Sequence, residues 1–397
     1  MPSIEGLGYP LVFKAKAECN APVRGQTDRI GIRTEVRALE GMQKEALVHY
    51  GPSGNVWRMV SDEGPYLNGT DLAPFPLAFF TAGTAFSFMS ELLKHAEVHN
   101  VQIKSLSLIQ DNFFTMEGSA IRGDMTGGAK PVELLVQIEA DAPQETIAKL
   151  IRLAEASSPA QAYMRDVLEN TFALCLNGSG LPVLRVCQSP FSLAEDPELK
   201  FDTIRPNPEG GFLPDIITKR KAAETLFGVE GGAGTSLQPE QKRTLHVRGI
   251  TKLLDTGLRQ VVVQLFKPIG STFRFLSDER SGVASPSLAY LSAGIGFCYM
   301  TQLGRYAHIV KMDLKSYRIV QDSIFKLNGS IMDGTLWATA EPVDTHVFIT
   351  SDEPYEAVQR SVSMGEQTCF LHAATRSSNR TRIKAEINGE SMAIDLA

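Results

Sequence analysis

The chain is poor in cysteine and tryptophan, with five and two in 397 residues. Its cysteines, Cys19, Cys175, Cys187, Cys298 and Cys369, fall in no paired framework. That argues against a disulfide-stapled scaffold and a structural zinc site, and an odd, sparse set suits a reducing compartment. No apolar run approaches the roughly eighteen residues that a membrane-spanning helix needs. The start, Met1-Pro2-Ser3-Ile4-Glu5-Gly6, shows no basic stretch ahead of an apolar core. A cytoplasmic protein without a membrane partner is expected. Positive charge is not in excess, because the formal net charge is −6, so nucleic acid is not an expected partner. The seven histidines are scattered without ligand spacing, and no metal is expected.

What the chain does contain is an internal repeat. At an offset of 211, residues 81–165 align with 292–376 without a gap, and 25 of the 85 positions are identical. Chance would give roughly five from average composition. The matches fall where backbone geometry is demanding: Ala82-Gly83 with Ala293-Gly294, Gln110-Asp111 with Gln321-Asp322, Gly118-Ser119 with Gly329-Ser330, Pro131-Val132 with Pro342-Val343, and Arg165 with Arg376. Upstream, Ser61-Asp62-Glu63 recurs as Ser277-Asp278-Glu279, with five extra residues in the first loop. The chain reads as a tandem duplication: module one over 1–187, a connector over 188–245, and module two over 246–397. In the connector, Gly228 to Thr235 is rich in glycine but lacks the Gly-Lys-Ser/Thr ending of a phosphate loop. No cofactor is expected.

Each copy predicts an α+β module. Phe75 to Val98, and Pro286 to Ile309, are apolar stretches long enough for a buried helix. Val101 to Leu108 alternates at period two, and Phe113 to Ile121 and Val132 to Ile138 continue as strands. Asp141-Ala142-Pro143-Gln144-Glu145 then opens a helix with proline and acid at its start and an apolar stripe of Ile147, Leu150, Ile151 and Ala154. A second helix is predicted from about Ser158, and from about Cys369 in the other copy.

The run Ser61-Asp62-Glu63-Gly64-Pro65-Tyr66-Leu67-Asn68-Gly69-Thr70-Asp71-Leu72-Ala73-Pro74-Phe75-Pro76-Leu77, followed by Ala82-Gly83, resembles the first signature of the OsmC/Ohr superfamily. Glu155-Ala156-Ser157-Ser158-Pro159 resembles its second, Glu-x-x-Cys-Pro. The likeness covers most of 55–185 and 270–390, and the element order agrees with the family's. Members form intertwined homodimers with long central helices and outer sheets. The resemblance therefore implies two modules in an intramolecular pseudo-dimer, with central long helices and outer antiparallel sheets. It also implies two active-site cysteines near the interface and, in many relatives, reduction of organic hydroperoxides. One thiolate attacks the peroxide, a second thiol resolves the sulfenic acid, and an external dithiol restores both.

Several positions depart from that pattern. In copy one the family cysteines fall on Thr84 and Ser158, neither of which can act as a redox thiol; Ser158 reads as a helix N-cap, with a hydrolytic nucleophile as the alternative. In copy two the first falls on Ile295, whereas the second is retained as Cys369. Cys298, one turn beyond Ile295 between Phe297 and Tyr299, is either a partner for Cys369 or a buried hydrophobe. His372, three residues after Cys369, is either an assisting base or an inert helix-face residue. The family's glutamate before the first cysteine helix is missing from both copies. An active-site arginine is sought in Val23-Arg24-Gly25 and its echo Val247-Arg248-Gly249.

Three functions stay open at this level. One is a thiol enzyme of OsmC/Ohr type using Cys369, Cys298 and His372 on a small organic substrate, with Arg248, Arg24, Thr84, Ser158, Ile295 and Phe297 as its surroundings. Another is a hydrolase or lyase reusing the same pocket. The third is a binding protein whose cleft, lined by Phe79, Phe80, Phe86, Tyr290 and Phe297, holds a small organic ligand. The unit is a pseudo-dimeric monomer or a homo-oligomer.

Overall fold

The computed structural model describes residues 1–222 and 241–396; the Gly228–Thr235 run lies outside them. Eight α-helices are found among the described residues: α1 Ile4–Leu7, α2 Pro76–Val98, α3 Gln144–Ser157, α4 Pro159–Arg165, α5 Lys200–Thr203, α6 Ser287–Ile309, α7 Tyr355–Thr368 and α8 Phe370–Ala373. Pro76 sits in the first turn of α2, where its missing N–H costs nothing. Almost every residue of α2 and α6 is buried, as expected for helices that are apolar all round.

These two helices form the middle of the molecule. α2 packs on one sheet, α6 on the other, and the two helices cross each other. The crossing is made possible by two glycines. A Cβ on Gly83 would lie 2.5 Å from the Leu291 backbone nitrogen, and one on Gly294 would lie 2.7 Å from that of Phe80.

Each sheet takes strands from both halves of the chain. The first runs Val12–Ala15, Asn55–Ser61, Lys44–Tyr50, Arg29–Ala38, Ser316–Asn328, Asp344–Thr350, Thr171–Leu176 and Cys187–Gln188. The second runs Ile217–Lys221, Thr272–Ser277, Arg259–Lys267, Gln241–Leu253, Ile103–Gly118, Glu133–Ala140, Arg382–Ile387 and Glu390–Ile394. The sheets are mixed, not antiparallel as expected. The strand that follows α4 joins Asp344–Thr350 in parallel, and the strand that follows α8 joins Glu133–Ala140 in parallel. Each parallel partner comes from the other half of the chain, so no tight hairpin constrains the pair to run antiparallel.

A second difference concerns the strands predicted as Val101–Leu108 and Phe113–Ile121. They are one strand, Ile103–Gly118, with alternating burial. Asp111 does not break it, because its carboxylate is held on the outer face by Arg248 at 2.7 and 2.8 Å. Asn112 points inward and donates to Thr81 Oγ1 at 3.1 Å.

The Asp62 motif is a loop clasp between strand and central helix. Its carboxylate accepts from the backbone of Glu63, Thr70 and Leu72. Asp278 does the same for Arg280, Ser281 and Val283.

Residues 188–222 carry elements of their own and run over the outer face of the first sheet. Ala194 N donates to His346 Nδ1, Lys200 pairs with Glu35, and Asp196 pairs with Arg318. Ile217–Lys221 then joins the edge of the second sheet.

Candidate functional site

The break between α7 and α8 is made by a single extended residue, Cys369, at φ −70 and ψ 119. Its counterpart Ser158, between α3 and α4, has nearly the same angles, −73 and 118. Pro159 enforces that conformation in the first copy, since the residue before proline is driven out of the helical region. In the second copy Phe370 replaces it, and close packing holds the bend. The strand Thr126–Ala129 presses on this junction, so that a Cβ on Gly127 would meet Thr368 O at 2.6 Å.

The bend aims Cys369 at α6. Its sulfur is close enough to that of Cys298 for each to shift the other's acidity, and the backbone of Phe370 and Leu371 also acts on the Cys298 sulfur. His372 Nδ1 is 3.1 Å from Cys369 Sγ. The imidazole is wedged between Phe172 and Tyr299, with ring centroids 5.6 Å away in each case. Tyr163, also close to both sulfurs, donates to Leu371 O at 2.9 Å. Cys298, Cys369 and His372 are all buried.

Electrostatics make the two thiols unequal. Burial alone would push both up. For Cys369, burial is outweighed by the neighbouring Cys298 and by His372, which hold the thiol well below the usual range. For Cys298, burial and the neighbouring sulfur raise it well above. Cys369 is thus the more acidic thiol of the pair, and Cys298 the less acidic.

The other half holds hydroxyls in the same arrangement. Ser87, 211 residues before Cys298, lies with Oγ 2.8 Å from Ser158 Oγ. Ser158 also caps α4 by accepting from Gln161 N at 3.4 Å. Gln161 stands where the second copy has His372.

Flanking ion pairs repeat as well. Glu366 pairs with Arg376, which donates to Gly127 O at 3.0 Å. Glu155 pairs with Arg165, which donates to Ala338 O at 2.5 Å and lies over the Trp337 ring. Beside the Glu366–Arg376 pair a surface cavity of about 500 Å³ opens, lined also by Leu168, Asn170 and Cys187.

The remaining expected site residues lie elsewhere. Thr84 bridges Phe80 O and Gln110 within the α2–sheet interface. Ile295 is core. Phe297 packs on Phe79 at 5.1 Å, and Phe79, Phe86 and Tyr290 stack on one another or on Phe275. Phe80 borders a space of about 10 Å³, too small for an organic ligand. The expected aromatic cleft is therefore packed core.

Arg24 donates to Cys19 O in a surface loop, and Arg248 pairs with Asp111 on the outer face of the second sheet. The structural partner of Arg248 is Arg33, which grips Asp322 in the same bidentate way at 2.8 and 2.7 Å; the tripeptide echo with Arg24 misled. Ser87, Tyr163, Phe172 and Tyr299 were missed. Subtracting the repeat offset from Cys298 would have found Ser87. The other three need the fold. Among the described residues no cluster of three or more potential metal ligands occurs, and no helix is long and apolar enough to cross a membrane.

No protein-family model and no curated protein matches the chain. Among solved structures it is similar in part to an OsmC-like hydroperoxide resistance protein from Jannaschia sp. CCS1, at 20% identity and a TM-score of 0.26, over 36% of this chain and 93% of that one.

Proposed function

We propose that this protein is a thiol-dependent reductase of organic hydroperoxides, built as an internal pseudo-dimer of two OsmC-like modules with one working site. The observation that carries the reading is the Cys298–Cys369 pair with His372 Nδ1 3.1 Å from Cys369 Sγ. The duplication is supported by contacts that recur at the 211 offset, such as the paired glycines of the helix crossing and the Ser87–Ser158 twin of the thiol pair.

In the proposed cycle the Cys369 thiolate attacks the terminal peroxide oxygen and the O–O bond breaks. The alkoxide leaves as alcohol with the proton of Cys298, and Cys369 becomes a sulfenic acid. The Cys298 thiolate then attacks that sulfur, the S–O bond breaks, and hydroxide leaves as water with a proton from solvent. An external dithiol reduces the disulfide by exchange. A hydrolytic reading has less to stand on, because Ser158 Oγ meets Ser87 and a helix N–H, and no base.

The test is peptide mass spectrometry after treatment with an organic hydroperoxide. A Cys298–Cys369 disulfide is expected in the wild type, and a trappable Cys369 sulfenic acid in Cys298→Ser. Iodoacetamide at mildly acidic pH should favour Cys369 over Cys175, since a free thiol titrates near about 8.5. Undiminished hydroperoxide turnover by Cys369→Ser would sink the proposal.

A further inference from the structure

A cavity of about 840 Å³ opens at the C-terminal end of α6, larger than the one beside Glu366 and Arg376. None of Cys298, Cys369 and His372 lines it. Met42, Leu67, Ile309, Met312 and Leu314 make much of its wall apolar. Arg305 and Lys311 add positive charge, and His308 an imidazole, against a single acid, Asp313. The rim is the turn that stops the helix. Lys311 is left-handed at φ 56, its N–H donates to His308 O at 3.2 Å, and Met312 N donates to Ala307 O at 2.8 Å. Those bonds occupy the closing carbonyls of α6, so the helix end presents fewer bare acceptors to the cavity.

The Tyr317 hydroxyl sits at the wall of this space. Tyr317 and Gly304 both line it, and a Cβ on Gly304 would strike the phenol oxygen. Tyr317 is 9% exposed, and its hydroxyl has no hydrogen-bond partner among the described residues. Burial alone acts on its titration, pushing it up to about 12. A buried polar group without a partner is uncommon and calls for an explanation. Water can serve the hydroxyl, but water accounts for neither the apolar wall nor the basic residues. The twin positions differ in the same sense. At the matching end of α2, Leu93 and Leu106 stand in place of Gly304 and Tyr317, and Glu97 and Asn100 in place of His308 and Lys311. Leu93 and Leu106 belong to a hydrophobic cluster, and Glu97 pairs with Arg280. One helix end is thus apolar and acidic, whereas the other is hollow and basic.

We propose that this cavity binds a small organic anion, a carboxylate or sulfonate on an apolar body, at a site separate from the Cys298–Cys369 pair. The volume falls within the roughly 300–1,000 Å³ of small-molecule sites, which combine an apolar lining with a few polar groups. The apolar body lies against Met42, Leu67 and Leu314. The acid group accepts a charge-assisted hydrogen bond from the Tyr317 hydroxyl and is drawn by the charges of Arg305, 6% exposed, and of Lys311 at the rim. Binding is reversible and breaks no covalent bond.

The test is fluorescence titration of the full chain with anilinonaphthalenesulfonate, and with phenylnaphthylamine as its uncharged counterpart. The sulfonate should bind one per chain, at least about tenfold more tightly than the neutral probe, and decanoate should displace it. Tyr317→Phe removes only the hydroxyl; it should weaken the sulfonate about tenfold and leave the neutral probe unchanged. Met42→Trp fills the cavity from another wall and should abolish binding of both probes. Should Tyr317→Phe fail to fold, Met42→Trp and the comparison of the two probes still decide. Chains carrying Cys298→Ser and Cys369→Ser should bind like the wild type, so failure of the thiol chemistry cannot be mistaken for failure here. Equal affinity for the two probes, or sulfonate binding unchanged in either cavity variant, would overturn the proposal.

Discussion

Alanine at Gly83 tests the helix crossing directly. Its Cβ would stand 2.5 Å from Leu291 N and 2.8 Å from Leu291 Cα, both backbone atoms of a fully packed helix. Reaching an ordinary carbon–nitrogen contact needs about 0.9 Å of separation, in a core that does not deform freely. Overpacking of this kind costs about 1–3 kcal/mol, while relief of glycine's excess chain entropy returns about 0.5–1 kcal/mol. Net destabilisation of about 1–2 kcal/mol is therefore expected. Gly294→Ala should cost a similar amount, because its Cβ would meet Phe80 N at 2.7 Å. Gly296→Ala serves as the control: its nearest neighbour, Val36 Cγ2 at 3.0 Å, is a side chain that can yield. Urea titration reads all three as shifts in midpoint at constant slope. If Gly83→Ala and Gly294→Ala both unfold at or above the wild-type midpoint, the helices do not approach as described.

Two further outcomes are expected. Ser87→Cys combined with Ser158→Cys should give a second peroxide-induced disulfide, joining the two introduced thiols and seen by mass spectrometry, because the serine Oγ atoms are already 2.8 Å apart; either single variant should give none. Burial, with His99 and Lys94 nearby, lowers His95 from 6.5 to about 4. A base depressed in the folded state is protonated first in the unfolded chain, so stability should fall as pH drops from about 6.5 to about 4, by about 1–3 kcal/mol after allowance for partial solvation. His95→Gln should flatten that part of the pH–stability curve.

Periodicity and turn chemistry made much of the fold legible. Both central helices, the acidic start of α3 and the cap at Ser158 follow from residue type and spacing, each a local rule. The strand through Asp111 was not legible, because Asp and Asn read as a break until Arg248 arrives from 137 residues away to hold the carboxylate. Parallel pairing and the mixing of both halves in each sheet are nonlocal for the same reason. At the candidate site, Cys369 and the histidine one turn later, which the fold places together, were visible. Ser87, Phe172 and Tyr299 were not, since nothing in a lone serine or aromatic separates a site wall from ordinary core.

The differences between the halves are concentrated where chemistry would be. The crossing glycines, the clasping aspartates, the outer-face arginine–aspartate pairs and the glutamate–arginine braces are all kept in twin form. Three twin positions change character together: Ser87 against Cys298, Ser158 against Cys369, and Gln161 against His372. Two serine hydroxyls sharing a hydrogen bond satisfy each other and need no base. Two sulfurs in the same place cannot be equal, because the first proton lost leaves a thiolate that its neighbour must stabilise. A buried thiolate needs a cation or donor beside it, and His372 is the residue that the hydroxyl half lacks. The scaffold is therefore common to both halves. On the proposed reading, the imidazole and two sulfurs turn one helix-capping bend into a reactive centre, and the other bend retains only the cap.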